Sequence, residues 1–330
     1  MKQSMKNIFP GLLMALTLAG LAYYFGTRVP VVGGPVIGIT LGILVATILN
    51  VPAWAGKGIK FTSKYILQLA VILLGFDMNM ANIIKVGRES LLVLVVTLSA
   101  AFAIAYFAGR FLKVERKLTT LIGVGTAICG GSAIAAASSA IEAEDQEISY
   151  AISTIFLFNV IAVFLFPAVG HLLNLTDTGF GMWAGTAIND TSSVVAAGFS
   201  YSNAAGNFAT IVKLTRSLMI VPVTLALAII FARNNKSENK FNFVKVFPWF
   251  VLGFLIAAII RSAAILPPNL TGALAWSGKF LIITAMAAIG LNTNVRAFIK
   301  AGPKALLLGA FTWFGVAASS LAIQFLAQIR

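Results

Sequence analysis

Lys213 and Arg216 lie three residues apart, roughly ten residues inside the apolar segment 204–231, and so share one helical face. Insertion scales put a cation at the bilayer centre at about 2.5–3.5 kcal/mol, so two of them must face protein and find partners. Asp190, in another apolar segment, neutralises only one. The surplus positive charge suits an anion, with Arg216 offering bidentate oxyanion contacts and Lys213 a point charge. Two other arrangements remain open: both cations can pair with Asp190 and backbone carbonyls, or lie closer to the interface.

Two further segments carry glycine and small polar residues halfway along an apolar stretch: Gly123-Val-Gly-Thr-Ala-Ile-Cys-Gly-Gly-Ser132 and Gly185-Thr-Ala-Ile-Asn-Asp-Thr-Ser-Ser193. Irregular backbone at membrane depth is tolerated only against protein or a wet cavity, which predicts interrupted helices. A helix restarting at such a break presents unpartnered N–H groups and partial positive charge, a receptor for an anion. The candidate site is therefore Gly125, Thr126, Cys129, Gly130, Gly131 and Ser132 from one break, Asn189, Asp190, Thr191, Ser192 and Ser193 from the other, and Lys213 with Arg216. Close helix packing through small residues is the competing explanation of both clusters. Asp77 with Asn79 and Asn292 with Asn294 read as caps or solvated helix ends, Asn159 as polar glue or a cavity lining, and His171 as interfacial.

The elements that position these groups follow from composition. Of 330 residues 59% are hydrophobic and 10% charged, with mean hydropathy +0.94, far from a soluble domain. Eleven apolar segments, 8–25, 33–49, 62–80, 91–111, 118–140, 148–173, 179–200, 204–231, 244–265, 274–292 and 305–327, approach the length needed to cross about 30 Å of hydrocarbon. The expected class is an all-α polytopic membrane protein in one membrane domain. The run from Ile8 to Phe25 resembles a signal peptide but lacks a small-residue cleavage site before a polar region, so it is read as the first helix.

With the N-terminus cytoplasmic and the C-terminus outside, inner connections hold sixteen Lys and Arg, among them Lys2, Lys6, Lys236, Lys240, Lys245, Arg296 and Lys300. Outer ones hold six, including Arg28, Lys85 and Arg330, which favours this orientation in a bacterial plasma membrane. The formal charge of +14 sits in these connections rather than on one soluble face, which argues against a nucleic-acid partner. The polar linker 233–240 is too short for a domain. One Cys and one His leave no Cys/His metal cluster, and no phosphate-cradling motif appears, so neither metal nor cofactor is expected.

Residues Lys64 to Gly87 are echoed without gaps by Lys279 to Gly302, with Gly75/Gly290, Asn79/Asn294 and Lys85/Lys300 coinciding. Leu41 to Leu49 matches Leu252 to Ile260 after a small change of offset. Segments 2–3, about 33–87, thus resemble segments 9–10, about 244–302. Seven intervening segments give the copies opposite orientation, an inverted repeat of the kind secondary transporters use for alternating access.

Ile128-Cys-Gly-Gly-Ser-Ala-Ile-Ala-Ala136, Asn189-Asp190 followed by Val194-Val-Ala-Ala-Gly198, Lys213-Leu-Thr-Arg216 and the Gly75 and Gly290 helix ends together resemble the sulfate exporter family of bacterial multi-pass membrane proteins, over nearly the whole chain. That resemblance implies a plasma-membrane transporter, distantly similar to bile-acid, arsenite and riboflavin carriers, with sulfate or sulfonate-related anions as cargo. Where the family pattern has His before the Asp, this chain has Asn189, which weakens a His-based proton relay. The expected partners are a small anion, the bilayer, a coupling proton or sodium ion, and a second copy of the chain. A sodium-coupled organic-anion symporter and an anion channel are the near alternatives. An intramembrane hydrolase built on Ser132 needs a base within reach, and His171 is the one histidine, at a segment edge. No enzyme activity is expected.

Overall fold

The computed structural model describes residues 2–28, 33–49, 51–234, 247–293 and 302–328. Asn294, Arg296, Lys300, Lys236, Lys240, Lys245 and Arg330, and with them much of the 233–240 linker, lie outside the described residues, as do the side chains of Lys2, Lys6 and Arg233. Among the described residues every regular element is helical. In chain order they are α1 Lys2–Arg28, α2 Gly34–Leu49, α3 Ala53–Asp77, α4 Met80–Phe111, α5a Arg116–Ala127, α5b Gly131–Ile141, α6 Asp145–Leu172, α7a Asp177–Ala187, α7b Thr191–Tyr201, α8a Asn203–Ser217, α8b Ile220–Asn234, α9 Trp249–Ser262, α10 Pro268–Leu291 and α11 Pro303–Leu326.

Seven spans are long and apolar enough to cross a membrane, namely Asn7–Arg28, α3, α4, α6, Asn203–Leu227, α10 and α11, and α2, α5b and α9 are shorter apolar helices. With α7a and α7b, each of the eleven apolar segments is largely helical within the described residues, 118–140 and 179–200 as pairs of half-helices. Large apolar side chains such as Phe107, Phe111, Ile48 and Trp249 are left exposed, as lipid-facing positions require. Helix starts follow local chemistry. Glu144 and Glu147 form a capping box at α6, with the Glu144 N–H donating to Glu147 Oε2 at 2.8 Å, and the Gly179 N–H donates to Thr176 Oγ1 at 3.1 Å at α7a. Pro268 and Pro303 open α10 and α11, where a missing N–H costs nothing.

The chain divides into two units, one of Met1–Lys85, Val195–Asn207 and Trp249–Val295, the other of Val86–Val194, Phe208–Pro248 and Arg296–Arg330. In the first, helices touch backbone to backbone. A Cβ on Gly42 of α2 would stand 2.4 Å from Ala287 O and 2.8 Å from Gly290 Cα, and one on Gly290 would stand 2.3 Å from Ile39 O and 2.9 Å from Gly42 Cα. At Gly75 of α3 a Cβ would meet Phe254 O at 2.4 Å, Ala257 Cβ at 2.8 Å and the Ala258 N–H nitrogen at 3.3 Å.

Gly75 and Gly290 are 215 residues apart, and so are the residues they face: Ile39 with Phe254, Gly42 with Ala257, Ile43 with Ala258. The bounds of α2 and α9, and of α3 and α10, also start 215 residues apart. Packing therefore relates α2–α3 to α9–α10 by one constant shift, whereas matching Leu41 to Leu252 by letter needs a shift of 211.

Elsewhere in this unit Asp77 is paired rather than merely solvated: Lys279 Nζ lies 3.0 Å from its Oδ2, and Asn207 Nδ2 donates to the same oxygen at 3.2 Å. Asn79 caps α4, accepting the Ala81 N–H at 2.8 Å. Gly20 and Gly272 offer a contrast with the crossings, since a Cβ at either meets no heavy atom within 4 Å. Gly20→Ala and Gly272→Ala are expected to leave thermal stability unchanged or raise it by up to about 1 kcal/mol through helix propensity, as melting in detergent would show.

Candidate functional site

Both predicted interruptions are present, and both fall in the second unit. At the first, Ile128 leaves the helical region at φ −119°, ψ −88°, and Gly130 takes φ 70°, ψ −130° before α5b begins at Gly131. An L side chain is strained at that positive φ, which accounts for glycine there. The turn is closed by the Gly130 N–H donating to Gly125 O at 2.9 Å. At the second, Ile188 is extended at φ −80°, ψ 133°, and α7b restarts at Thr191.

Each break leaves the last carbonyls of its first half without helical partners. Lys213 and Arg216, 0% and 1% exposed on α8a, take up that task. Lys213 Nζ donates to Ile128 O at 2.8 Å, to Ile188 O at 3.1 Å and to Asn189 O. Arg216 donates from Nε to Ala127 O at 2.7 Å, from Nη1 to Ile188 O at 3.2 Å and from Nη2 to Thr126 O. An ammonium has three donors, so Lys213 is fully used, and three of the five guanidinium N–H groups are used as well. Of the arrangements open to the sequence, carbonyl pairing is the one found. It places positive charge at the negative ends of two half-helices, the favourable sense of the dipole interaction.

The opposite ends differ. Asp190 sits at the start of α7b, where its Oδ2 accepts the Ser192 N–H at 3.0 Å and the Ser192 hydroxyl. The chain's own carboxylate thus fills that N-terminus. The Asp190 N–H donates to Asn159 Oδ1 at 3.2 Å, so Asn159 ties α6 to the break, and a Cβ on Gly130 would lie 3.6 Å from both Asn159 Nδ2 and Asp190 Cβ. The two breaks therefore face each other. Within α5b the first i→i−4 bond runs from the Ile134 N–H to Gly130 O, which leaves the Gly131 and Ser132 N–H groups outside the helical ladder. A Cβ on Gly131 would meet nothing within 4 Å. Asn189 is 0% exposed, and neither its Oδ1 nor its Nδ2 has a partner among the described residues. A buried polar group left so costs about 1–3 kcal/mol, which marks the position as one that a ligand can satisfy.

Of the thirteen candidates, Cys129, Gly130, Gly131, Asn189, Asp190, Ser192, Lys213 and Arg216 come together at the facing breaks. Gly125 is a packing position, where a Cβ would crowd Ile134 and Ile155, and the Thr126 hydroxyl bonds within its own helix to Ile122 O at 2.8 Å, so only its carbonyl takes part. Thr191 and Ser193 are buried in the first turn of α7b and Ser132 is exposed. Sequence reasoning missed the support from α11. Trp183 Nε1 donates to Ala317 O at 3.0 Å, the Thr186 and Ser320 hydroxyls lie 2.6 Å apart, and Gln324 Nε2 donates to Ser320 Oγ at 3.0 Å. Buried Ser320 and Gln324, four apart in an apolar helix, were the signal.

Comparison with known proteins adds kinship. A family model described as Conserved hypothetical protein 698 matches residues 10–309. A UPF0324 membrane protein of Streptococcus agalactiae serotype V is 43% identical over 332 residues, covering 97% of each chain. Another from Fusobacterium nucleatum is 43% identical over 340 residues, covering 97% of this chain and 98% of its own. A third, from Clostridium tetani, is 44% identical over 313 residues, covering 90% and 91%.

Proposed function

This chain belongs to the conserved hypothetical protein 698 family of bacterial membrane proteins, and from that starting point we propose that it is a secondary transporter moving a small anion by alternating access. The observation that carries the reading is the pair of facing helix breaks locked by Lys213 and Arg216. Interrupted helices of this kind form the cargo and ion sites of secondary transporters. Two buried cations stand against one half-buried carboxylate at the breaks, and the field of that surplus favours an anion even though Lys213 has no donor left for it.

The anion's seat in this reading is the start of α5b, because Asp190 already fills the start of α7b. Gly131 and Ser132 supply amide donors, the Ser132 hydroxyl a further one, and the Asn189 amide an unpaired donor. The resemblance to sulfate exporters points to sulfate or a sulfonate-related oxyanion. The α2–α3 and α9–α10 pairs, matched at one constant shift, serve as the inverted repeat, with the N-terminus cytoplasmic. A proton or an exchanged anion is the coupling partner that suits the site best, for the carbonyls that would otherwise hold sodium carry Lys213 instead. No catalysis is assigned.

Proteoliposome uptake of labelled sulfate, with other oxyanions as competitors, tests the proposal. Gly131→Leu fills space that is open in front of α5b, so it is expected to keep the parent's melting temperature while cutting uptake at least about tenfold, the loss of roughly 1.4 kcal/mol of binding. Uptake by the variant at the parent's rate, or no anion flux by the parent above empty vesicles, would reject the assignment.

A further inference from the structure

Three carbonyl oxygens from two separate helix breaks, those of Ile128, Ile188 and Asn189, converge on one nitrogen that is 0% exposed. A set made only of backbone oxygens, drawn from unwound segments and half-helix C-termini, is the donor set with which interrupted helices coordinate Na⁺ in secondary transporters. Here a side chain stands in its centre. The match is complete in number, three N–H donors for three acceptors, so nothing is left over for a second cation or for Asp190. Arg216 takes the adjoining carbonyls of Thr126 and Ala127 and shares that of Ile188. Asp190, one residue beyond the last of the three, supplies negative charge in the same break.

We infer that Ile128 O, Ile188 O and Asn189 O form a monovalent-cation site whose occupant is the chain's own Lys213 ammonium, and that the carrier therefore works without sodium. The inference builds on the transporter reading but concerns the coupling cation rather than the cargo. A tethered ammonium is always present at high effective concentration, and displacing it would leave a second charge buried beside Arg216. Removing its side chain has the opposite effect. In Lys213→Ala the three oxygens lose the ammonium, Ile188 O keeping only its bond from Arg216 Nη1, while Asp190 and Arg216 stay, and the vacated centre becomes a site for a small free cation.

The experiment compares thermal unfolding of the purified full-length parent and Lys213→Ala in equimolar sodium, potassium, methylammonium and choline chloride. The parent is expected to melt at one temperature in all four and to take up anion equally with sodium or choline outside. Lys213→Ala is expected to melt several degrees higher in sodium or methylammonium than in choline, because a cation that binds only the folded state stabilises it. Lys213→Ser, which adds an oxygen to the set, is the second variant, and both are produced with methylammonium present from expression onward. A parent that melts higher or transports faster in sodium overturns the inference. So does a recovered variant indifferent to all four salts, or failure of methylammonium to recover either variant. Since melting requires no cargo, absence of anion flux in the parent would strike the transporter reading alone.

Discussion

Arg216→Met is expected to melt far below the parent, at a cost on the order of 3–5 kcal/mol, the usual penalty for removing one partner from a buried charged network. Methionine roughly conserves length and apolar stem but carries no donor, so Thr126 O and Ala127 O are left without that partner at about 1–3 kcal/mol each before relaxation, while Ile188 O keeps Lys213. Lipid cannot repair the loss, since it offers no hydrogen bonds. Arg216→Lys keeps the charge but replaces a planar fork reaching three carbonyls by a single point, and should fall between the parent and the methionine variant. Cys129, the chain's one cysteine, is 8% exposed and sits inside the first break, so a thiol-reactive fluorophore reports when that region opens. Reaction at the parent's temperature in Arg216→Met would show that the guanidinium does not hold the breaks.

The second large effect is expected at the α2–α10 crossing. A methyl group on Gly42 or on Gly290 would lie 2.4 or 2.3 Å from a carbonyl oxygen, and neither neighbour is a side chain that can swing away. The helices must separate instead, so Gly42→Ala and Gly290→Ala should each lose about 1–3 kcal/mol, the range for overpacking a close-fitting interior. Both substitutions push on one contact, so the double variant should lose less than the sum, because the second methyl enters a gap the first has opened. Full additivity in thermal melts would show that each glycine matters for a separate reason.

Much of this was open to reading from residue types. The eleven apolar segments, the two breaks and the burial of Lys213 and Arg216 all follow from hydropathy, glycine placement and the cost of charge in lipid. The partners of those cations do not follow. A sequence displays the charges of side chains, whereas carbonyls become acceptors only after a helix stops, and Ala127, Ile128 and Ile188 give no sign of it as residues. The same limit explains the shift of the repeat. Matching letters favoured the shared Leu-Gly of Leu41-Gly42 and Leu252-Gly253, while the packing aligns Gly42 with Ala257, because what must be conserved at a crossing is a close carbonyl and a small residue. Asp77 read as a helix end since Lys279 and Asn207 are remote in sequence; at about one-third exposure, its ion pair contributes little stability and left no pattern.

The α2–α10 crossing also has a mechanical meaning. Where two helices meet through side chains, rotamers act as compliant spacers and one rod can roll or slide on the other. Between Gly42 and Gly290 there is no spacer, only main chain against main chain, and main chain has no alternative rotamer to adopt. The joint is a rivet rather than a hinge: in any stroke of the proposed transport cycle, α2 and α10 travel as one rigid piece, and the compliance must be sought elsewhere in the chain.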